Sequence, residues 1–191
     1  MPTGQMRLLL TIIILTLLGC TNKQRKGETK TLDFGRFKID VPGTWQQVKA
    51  KGIDSYVGQM ILDEGDTVSF DLGWYSNSLE EEYNFMIQNG DVFLRREITR
   101  DSAVYEFYGK ADTVDTEKFK VNNVSWTTID NKRAKLIRPK NTGTGMTGVY
   151  FDSLWVAGSG IDRFQMNGTN LHPDNERHLL KAFETLKFTK K

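Results

Sequence analysis

The segment 67–75 alternates apolar and polar side chains over its whole length, and this pattern constrains the fold more than any other feature of the chain. Its apolar members are Val68, Phe70, Leu72 and Trp74. A two-residue period places these side chains on one face of a β-strand and leaves the other face polar. The segment Arg36–Val41 has the same pattern. Strands of this kind must pair and cover their apolar face, so we expect a β-rich domain.

Other segments have strand-like composition without such a strict period. They are 55–62, 95–100, 104–109, 124–129, 133–137, 147–151 and 163–166. Asp130-Asn131-Lys132 separates two of them and predicts a β-hairpin at that point. Asp63-Glu64-Gly65-Asp66 predicts a second, charged hairpin turn.

Two segments have helical spacing instead. The first runs from Ser78 to Gly90 and has a capping box at Ser78 and Glu81. Its apolar residues are Leu79, Tyr83, Met86 and Ile87. The second begins at Pro173, a residue that suits a first helical position. The sequence therefore predicts an α+β fold: a mainly antiparallel sheet of about seven strands, with a mid-chain helix and a C-terminal helix packed on it.

The amino-terminal segment predicts export rather than a place in this fold. Arg7 precedes an apolar run, Leu8–Leu18, that would form a helix of about 16 Å, about half of a bilayer's hydrocarbon core. Such a run is too short to span a membrane and is typical of a signal peptide. Leu17-Leu18-Gly19-Cys20 resembles the bacterial lipobox. The resemblance implies cleavage after Gly19 and a lipid attached to Cys20; the alternative is an ordinary signal peptide with an incidental cysteine.

These features divide the chain into a signal peptide (1–19), a lipidated cysteine with a flexible polar tether (20–31) and one globular α+β domain (32–191). Two or more acyl chains would anchor the protein stably to a membrane. Thr21 follows Cys20, so the aspartate that retains some lipoproteins at the inner membrane is missing. The sequence thus predicts a lipid-anchored protein of the bacterial cell envelope, attached to the outer membrane and facing the periplasm.

The two ends of the globular domain carry a further resemblance. The sequences FKIDVPGTW near its start and LHPDNERHLLKAFETLKF near its end are similar to the PsbP/Mog1-like group of α-β-α sandwiches. The likeness covers about residues 32–188. It implies a non-enzymatic accessory or binding role, without indicating a ligand.

Composition limits the classes of partner. The whole chain has 26 basic and 24 acidic side chains, and Arg7 is the only charged one in residues 1–19. A nearly neutral mature domain does not indicate binding to nucleic acid. Cys20 is the only cysteine, so the domain has no disulfide and its thiol is best explained by lipid attachment.

The glycine motifs lack the context that catalysis or nucleotide binding requires. Gly143–Gly148 spells GxGxxG, but strand-like sequence follows it where a nucleotide site needs a helix. Gly158-Ser159-Gly160 lacks the flanking glycines of a nucleophile elbow. We expect a loop at the first and a turn at the second.

The titratable residues also form no recognisable catalytic or metal-binding motif. His172 and His178 have no metal-ligand spacing. Glu80-Glu81-Glu82 suits the solvated first turn of a helix. The sequence therefore predicts no catalytic residue, no metal and no cofactor.

Aromatic residues of strand-like segments are the remaining candidates for binding, although all of them would belong to the core if helices cover both faces of the sheet. Tyr75, Trp126 and Trp155 lie in or beside predicted strands and would line a groove for a peptide, glycan or apolar ligand if one sheet face is open. The leading hypothesis is a lipid-anchored, non-catalytic binding or accessory module with an envelope protein as partner. Two alternatives stay open: an envelope hydrolase whose carboxylates are assembled by the fold, and a carrier of an apolar ligand. The oligomeric state is not indicated.

Overall fold

A computed structural model describes residues 27–190 except 53, 82, 100 and 101. In this part of the chain 57% of the residues are in strands and 11% are helical. The strands form three antiparallel sheets, and the described residues contain one α-helix.

The largest sheet has seven strands in the order β3-β4-β5-β12-β11-β10-β9. Its strands are β3 (Gln46–Lys49), β4 (Tyr56–Ile61), β5 (Thr67–Gly73), β9 (Asn122–Ile129), β10 (Lys132–Pro139), β11 (Met146–Ala157) and β12 (Gly160–Thr169). We call this the main sheet. Its two outermost strands are β3 and β9.

The two smaller sheets each have three strands. The first contains β1 (Thr29–Asp33), β2 (Phe37–Pro42) and β13 (Lys187–Phe188), in the order β1-β2-β13. The second, which we call the hairpin sheet, contains β6 (Phe85–Gln88), β7 (Asp91–Thr99) and β8 (Ser102–Lys110) in sequence order. Strand β1 begins at Thr29, so regular structure starts three residues before residue 32, the predicted start of the globular domain.

The core lies between one face of the main sheet and a cover made of β1, β2, β13 and the helix α1 (Pro173–Phe183). The Phe37 ring of β2 packs edge-on against Phe70 of β5 and Phe164 of β12, with 4.9 Å between centroids in each pair. Phe188 of β13 packs against Phe151 of β11 at 4.9 Å. The alternating apolar residues of β2 and β5 thus face one another, as their sequence pattern predicts.

Helix α1 packs on this core with the apolar side chains that its sequence period predicts. Leu179, Ala182 and Phe183 are buried, and the helix contacts β2 and β11. Its amino terminus is tied to the turn after β4, because the Asp66 carboxylate accepts hydrogen bonds from the His172 backbone N–H at 2.6 Å and the Asn175 amide at 2.8 Å. The turn predicted at residues 63–66 therefore also docks the helix.

The predicted fold class was wrong, because the chain is nearly all sheet and has no mid-chain helix among its described residues. Residues 85–88 form β6, which pairs with β7 across a two-residue turn at Asn89-Gly90. Asn89 and Gly90 have φ values of 53° and 82°, the left-handed pair that a type I′ hairpin requires. The helical spacing of apolar residues in this segment was coincidental, and the Asn-Gly pair decides the structure.

The two glycine-rich segments have the predicted structures. Gly143 and Gly145, with φ of 81° and 120°, lie in the loop between β10 and β11, and strand β11 begins at Met146. Gly158-Ser159 forms the turn between β11 and β12. A helix amino terminus follows neither glycine-rich segment.

Candidate binding surface

A cross-strand row of side chains runs over the face of the main sheet opposite the core. Trp126 of β9 lies directly opposite Lys135 of β10, which lies opposite Tyr150 of β11. Residues paired in this way point to the same side of a sheet. The Arg133 guanidinium lies over the Trp126 ring, 3.9 Å from its centroid. We call Trp126, Arg133, Lys135 and Tyr150 the aromatic–cationic patch.

Trp126 remains open to solvent because β9 is an edge strand. The side chain is 47% exposed, so part of the indole is accessible to a ligand. Within the described residues, neither Arg133 nor Lys135 forms an ion pair. Two cations beside an exposed indole favour an anionic or polar partner that offers a flat surface for stacking.

Tyr150 forms the buried floor of the patch. Burial raises the pKa of its phenol above the ordinary value; Arg163 lowers it, and Asp152 and Glu80 raise it further. The ring packs against Leu79 and Ile137, and Leu79 comes close to the sheet because Gly148 has no side chain there. Tyr150 therefore stays protonated at neutral pH and keeps an O–H donor.

A cleft of about 350 Å³ adjoins the patch at the amino-terminal end of β9. Residues 79–81, Tyr83 and the segment before β9 form its walls. It is lined by Leu79, Glu80, Glu81, Tyr83, Glu117, Lys120, Asn122, Asn123, Val124 and Lys135. The cleft thus contains three carboxylates. The sequence predicted Glu80 and Glu81 to be solvated and gave no role to Glu117.

Two of these carboxylates already have partners. Glu81 accepts hydrogen bonds from the backbone N–H groups of Val121 at 2.5 Å and Asn122 at 3.2 Å, which holds the segment before β9 in place. Glu117 pairs with Lys120, and this hydrogen bond raises the pKa of the Lys120 ammonium. Glu80 accepts a 3.3 Å hydrogen bond from the Ser78 hydroxyl. Only Glu80 lacks a cationic or backbone partner among the three.

The structure does not bring the predicted aromatic set together. Tyr75 is 70% exposed and stacks on Trp74 just after β5, whereas Trp126 lies on β9, four strand positions or about 19 Å away. Trp155 packs on Phe188 on the core side, and its indole N–H donates to Asp162 at 2.9 Å. The three residues therefore form no common groove, and only Trp126 belongs to the patch.

An apolar cavity of about 260 Å³ lies elsewhere, beside α1. Val41, Pro42 and Ala182 line it together with Asp63 and Lys181. It contains none of the aromatic residues that the carrier alternative requires.

Arg133 and Lys135 were missed in the sequence, although a usable signal was present. The turn observed between the two strands contains only Asp130 and Asn131, and it sets their register. That register puts Lys135 opposite Trp126 and Arg133 two pairs further toward the turn. The predicted three-residue turn, Asp130-Asn131-Lys132, would have paired Trp126 with Leu136, so both cations follow only when the turn is reduced to Asp130-Asn131.

The predicted lipid attachment at Cys20 and the cleavage site after Gly19 lie outside the described residues. No helix in the described part is long and apolar enough to cross a membrane. Across residues 27–190, with the gaps given above, no three His, Cys, Asp or Glu side chains group as metal ligands would.

Comparisons with protein-family models, with curated proteins and with solved structures gave no match to this chain. The resemblances to the lipobox and to the PsbP/Mog1-like group therefore stay predictions.

Proposed function

We propose that this protein is a lipid-anchored, non-catalytic binding module of the bacterial cell envelope. A lipid on Cys20 would hold it at the outer membrane, and the domain would face the periplasm. The lipobox-like sequence that ends at Cys20 and the Thr21 that follows it support this location. The aromatic–cationic patch is the surface through which the module binds an envelope protein.

One observation carries the assignment to the patch. Trp126 is 47% exposed with the Arg133 guanidinium stacked on one of its faces. Ordered, exposed Trp and Arg side chains are the types that dominate binding energy at protein interfaces. An acidic segment of the partner would place its carboxylates near Arg133 and Lys135 and stack a side chain on the indole.

The hairpin sheet is the competing apolar surface. Phe107, Tyr105 and Met86 are exposed on it, and Phe107 is the most exposed of the three at 60%. Among the described residues of the hairpin sheet no cation is unpaired, since Arg95, Arg96 and Lys110 pair with Glu97, Glu106 and Asp91. We therefore use the Phe107→Ala variant as the matched control for the loss of an exposed aromatic side chain.

The test is affinity capture from detergent-solubilised envelope of the native host. The expected result is a protein retained by the wild type and by Phe107→Ala, and lost with Trp126→Ala and Arg133→Ala. If the wild type and all three variants retain the partner, the binding site lies outside the patch. Capture of nothing by the wild type, even after chemical cross-linking in cells, would refute the binding role.

The cleft supports one competing function, an envelope hydrolase. Glu80, Glu81 and Glu117 line the same cavity, and hydrolysis of a glycan needs two carboxylates with distinct roles. The engagement of Glu81 and Glu117 by other groups argues against it. Release of soluble fragments from purified peptidoglycan by the wild type, abolished by Glu80→Gln, would favour the hydrolase; the binding proposal predicts no release by either.

A further inference from the structure

The apolar cavity beside α1 lies where the described part of the chain begins. Gly27, Glu28 and Thr29 are the first described residues, and all three belong to the lining of this cavity. The Gly43 N–H donates a hydrogen bond to the Glu28 carbonyl at 2.7 Å, and Thr29 pairs with Pro42 in the ladder between β1 and β2. These contacts hold the start of the described chain beside the cavity.

The interior of the cavity suits an aliphatic chain better than a polar molecule. Val41, Pro42 and Ala182 contribute to its lining, and Val41 and Ala182 are almost completely buried. Its volume is about 260 Å³. A methylene group takes up about as much space as a water molecule, roughly 30 Å³, so the cavity would hold about nine methylene groups. It is therefore large enough to cover part of one acyl chain.

Carboxylates predominate among the charged groups of the lining. Its titratable residues are Glu28, Asp40, Asp63, His178 and Lys181. The Thr31 hydroxyl donates to Asp40 at 2.5 Å, and the Thr44 hydroxyl donates to Asp63 at 3.1 Å. Within the described residues, none of the three carboxylates forms an ion pair. Three carboxylates against one ammonium favour a cationic segment beside the cavity.

The residues that precede the cavity in the chain carry the complementary charge. Residues 21–26 read TNKQRK, with three cations and no carboxylate. Cys20 lies seven residues before Gly27, and seven residues reach at most about 25 Å when fully extended. A lipid on Cys20 can thus reach the cavity of its own molecule, and the basic residues that follow it would then lie beside the acidic lining.

We propose that this cavity holds one acyl chain of the lipid on Cys20 while the protein is outside a membrane. The inference rests on the proposed lipid attachment. A chain tethered seven residues away is always present at a high local concentration, whereas a free apolar ligand would lack the neighbouring cations. In a bilayer, the acyl chain is surrounded by lipid and the three cations contact anionic headgroups, so the chain leaves the cavity. The cavity therefore shields part of the anchor before insertion.

Photocross-linking of the lipidated full chain tests where the acyl chain lies. Expressing cells are supplied with a fatty acid that carries a diazirine near its methyl end, and the intact mass of the purified protein first shows whether Cys20 is acylated. The protein is then diluted until its detergent forms no micelles, illuminated and digested. We expect acyl adducts on residues 40–44 and 178–185, at least about tenfold above those on residues 85–110. The latter form the hairpin sheet, which serves as the exposed apolar control.

Two tryptophan variants separate the cavity from other apolar surfaces. Thr29 is exposed and belongs to the lining, so Thr29→Trp would fill part of the cavity. Gln59→Trp places the same ring at an exposed position of β4 outside the lining. Overpacking costs about 1–3 kcal/mol, so we expect adducts on residues 40–44 to fall at least about fivefold in Thr29→Trp. They should be unchanged in Gln59→Trp, and thermal unfolding checks that both variants are folded.

Equal labelling of the cavity segments and the hairpin sheet would overturn the inference, as would adducts in Thr29→Trp that match those of the wild type. Reconstitution into vesicles of phosphatidylethanolamine and phosphatidylglycerol should reduce the cavity adducts at least about tenfold. Adducts that persist there would also overturn it, because the chain occupies the cavity only outside a membrane. A mass without an acyl group on Cys20 would instead refute the lipid attachment itself, so the two failures are distinguishable.

Discussion

The Asp66 carboxylate should be one of the most important side chains for stability, although it lies in a surface turn. It accepts hydrogen bonds from the His172 N–H at 2.6 Å and the Asn175 amide at 2.8 Å, at the amino terminus of α1. Asn175 is 1% exposed, so its amide depends on acceptors within the protein. The Asp63 carbonyl still accepts one of its hydrogen bonds, at 2.7 Å.

The expected cost of Asp66→Ala follows from these contacts. Loss of a helix-capping acceptor costs about 0.5–2 kcal/mol, and a buried donor left partly unsatisfied adds about 1–3 kcal/mol. Because the Asp63 carbonyl remains, we expect a decrease in the free energy of unfolding of about 2–4 kcal/mol for Asp66→Ala. Asp66→Asn keeps one oxygen acceptor and should lose about half as much.

Urea-induced unfolding followed by tryptophan fluorescence measures both variants. The slope of the transition should stay unchanged, since the folded state buries the same surface. A cost below about 0.5 kcal/mol for Asp66→Ala, which is the range of an ordinary surface substitution, would refute the docking role of this carboxylate.

Three further predictions follow from the strands and turns. Asn89→Ala should lower the free energy of unfolding by about 1 kcal/mol, because alanine disfavours the left-handed conformation of this residue; a helix would gain stability instead, so urea unfolding distinguishes the two structures. Gly58→Ala should cost about 1–3 kcal/mol in the same assay, because its Cβ would come within 2.5 Å of the Phe70 ring; no measurable cost would contradict this packing. Burial would raise the pKa of Asp130, but the Phe188 N–H, Lys132 and Lys187 outweigh it and hold that pKa below the ordinary value. The ionised Asp130 therefore stabilises the fold fully above its unfolded pKa of about 3.9, and this stabilisation is lost as the pH falls through its lower folded pKa. In thermal unfolding, the difference in melting temperature between the wild type and Asp130→Asn should shrink as the pH is lowered. A difference that stays constant with pH would contradict this contact.

The elements that the sequence predicted well are those whose local pattern and tertiary setting agree. Strand β5 alternates strictly because one of its faces packs on the aromatic core. The Asp130-Asn131 turn has φ values of 50° and 58°, which aspartate and asparagine tolerate. The stripe of α1 buries Leu179 and Phe183 as its period predicts.

The mid-chain segment was mispredicted because two local signals competed. Its apolar residues match a helical period, yet Asn89-Gly90 is the preferred pair for a two-residue hairpin. Pairing with β7 stabilises the strand, whereas a short helix without tertiary packing is only marginally stable. Leu79, which the helix would have placed in its first turn, adopts φ of 52° and inserts over Gly148.

The candidate site was harder to predict than the strands, since it depends on contacts distant in sequence. Trp155 is withdrawn from the surface by Phe188, a residue of the last strand. Glu81 enters the cleft because the backbone before β9, 40 residues later, binds its carboxylate. The observed two-residue turn, Asp130-Asn131, places Arg133 and Lys135 near Trp126, whereas the predicted three-residue turn would have put Leu136 opposite Trp126.

The mass of the mature protein purified from bacterial membranes tests the central claim most directly. Lipid attachment predicts a chain that begins at Cys20, lacks residues 1–19 and carries the added mass of a diacylglyceryl group, with or without a further acyl chain on its amine. Cys20→Ser should prevent both the modification and membrane attachment. An unmodified thiol at Cys20, or a chain that begins at any other residue, would contradict the account of this protein as a lipid-anchored module.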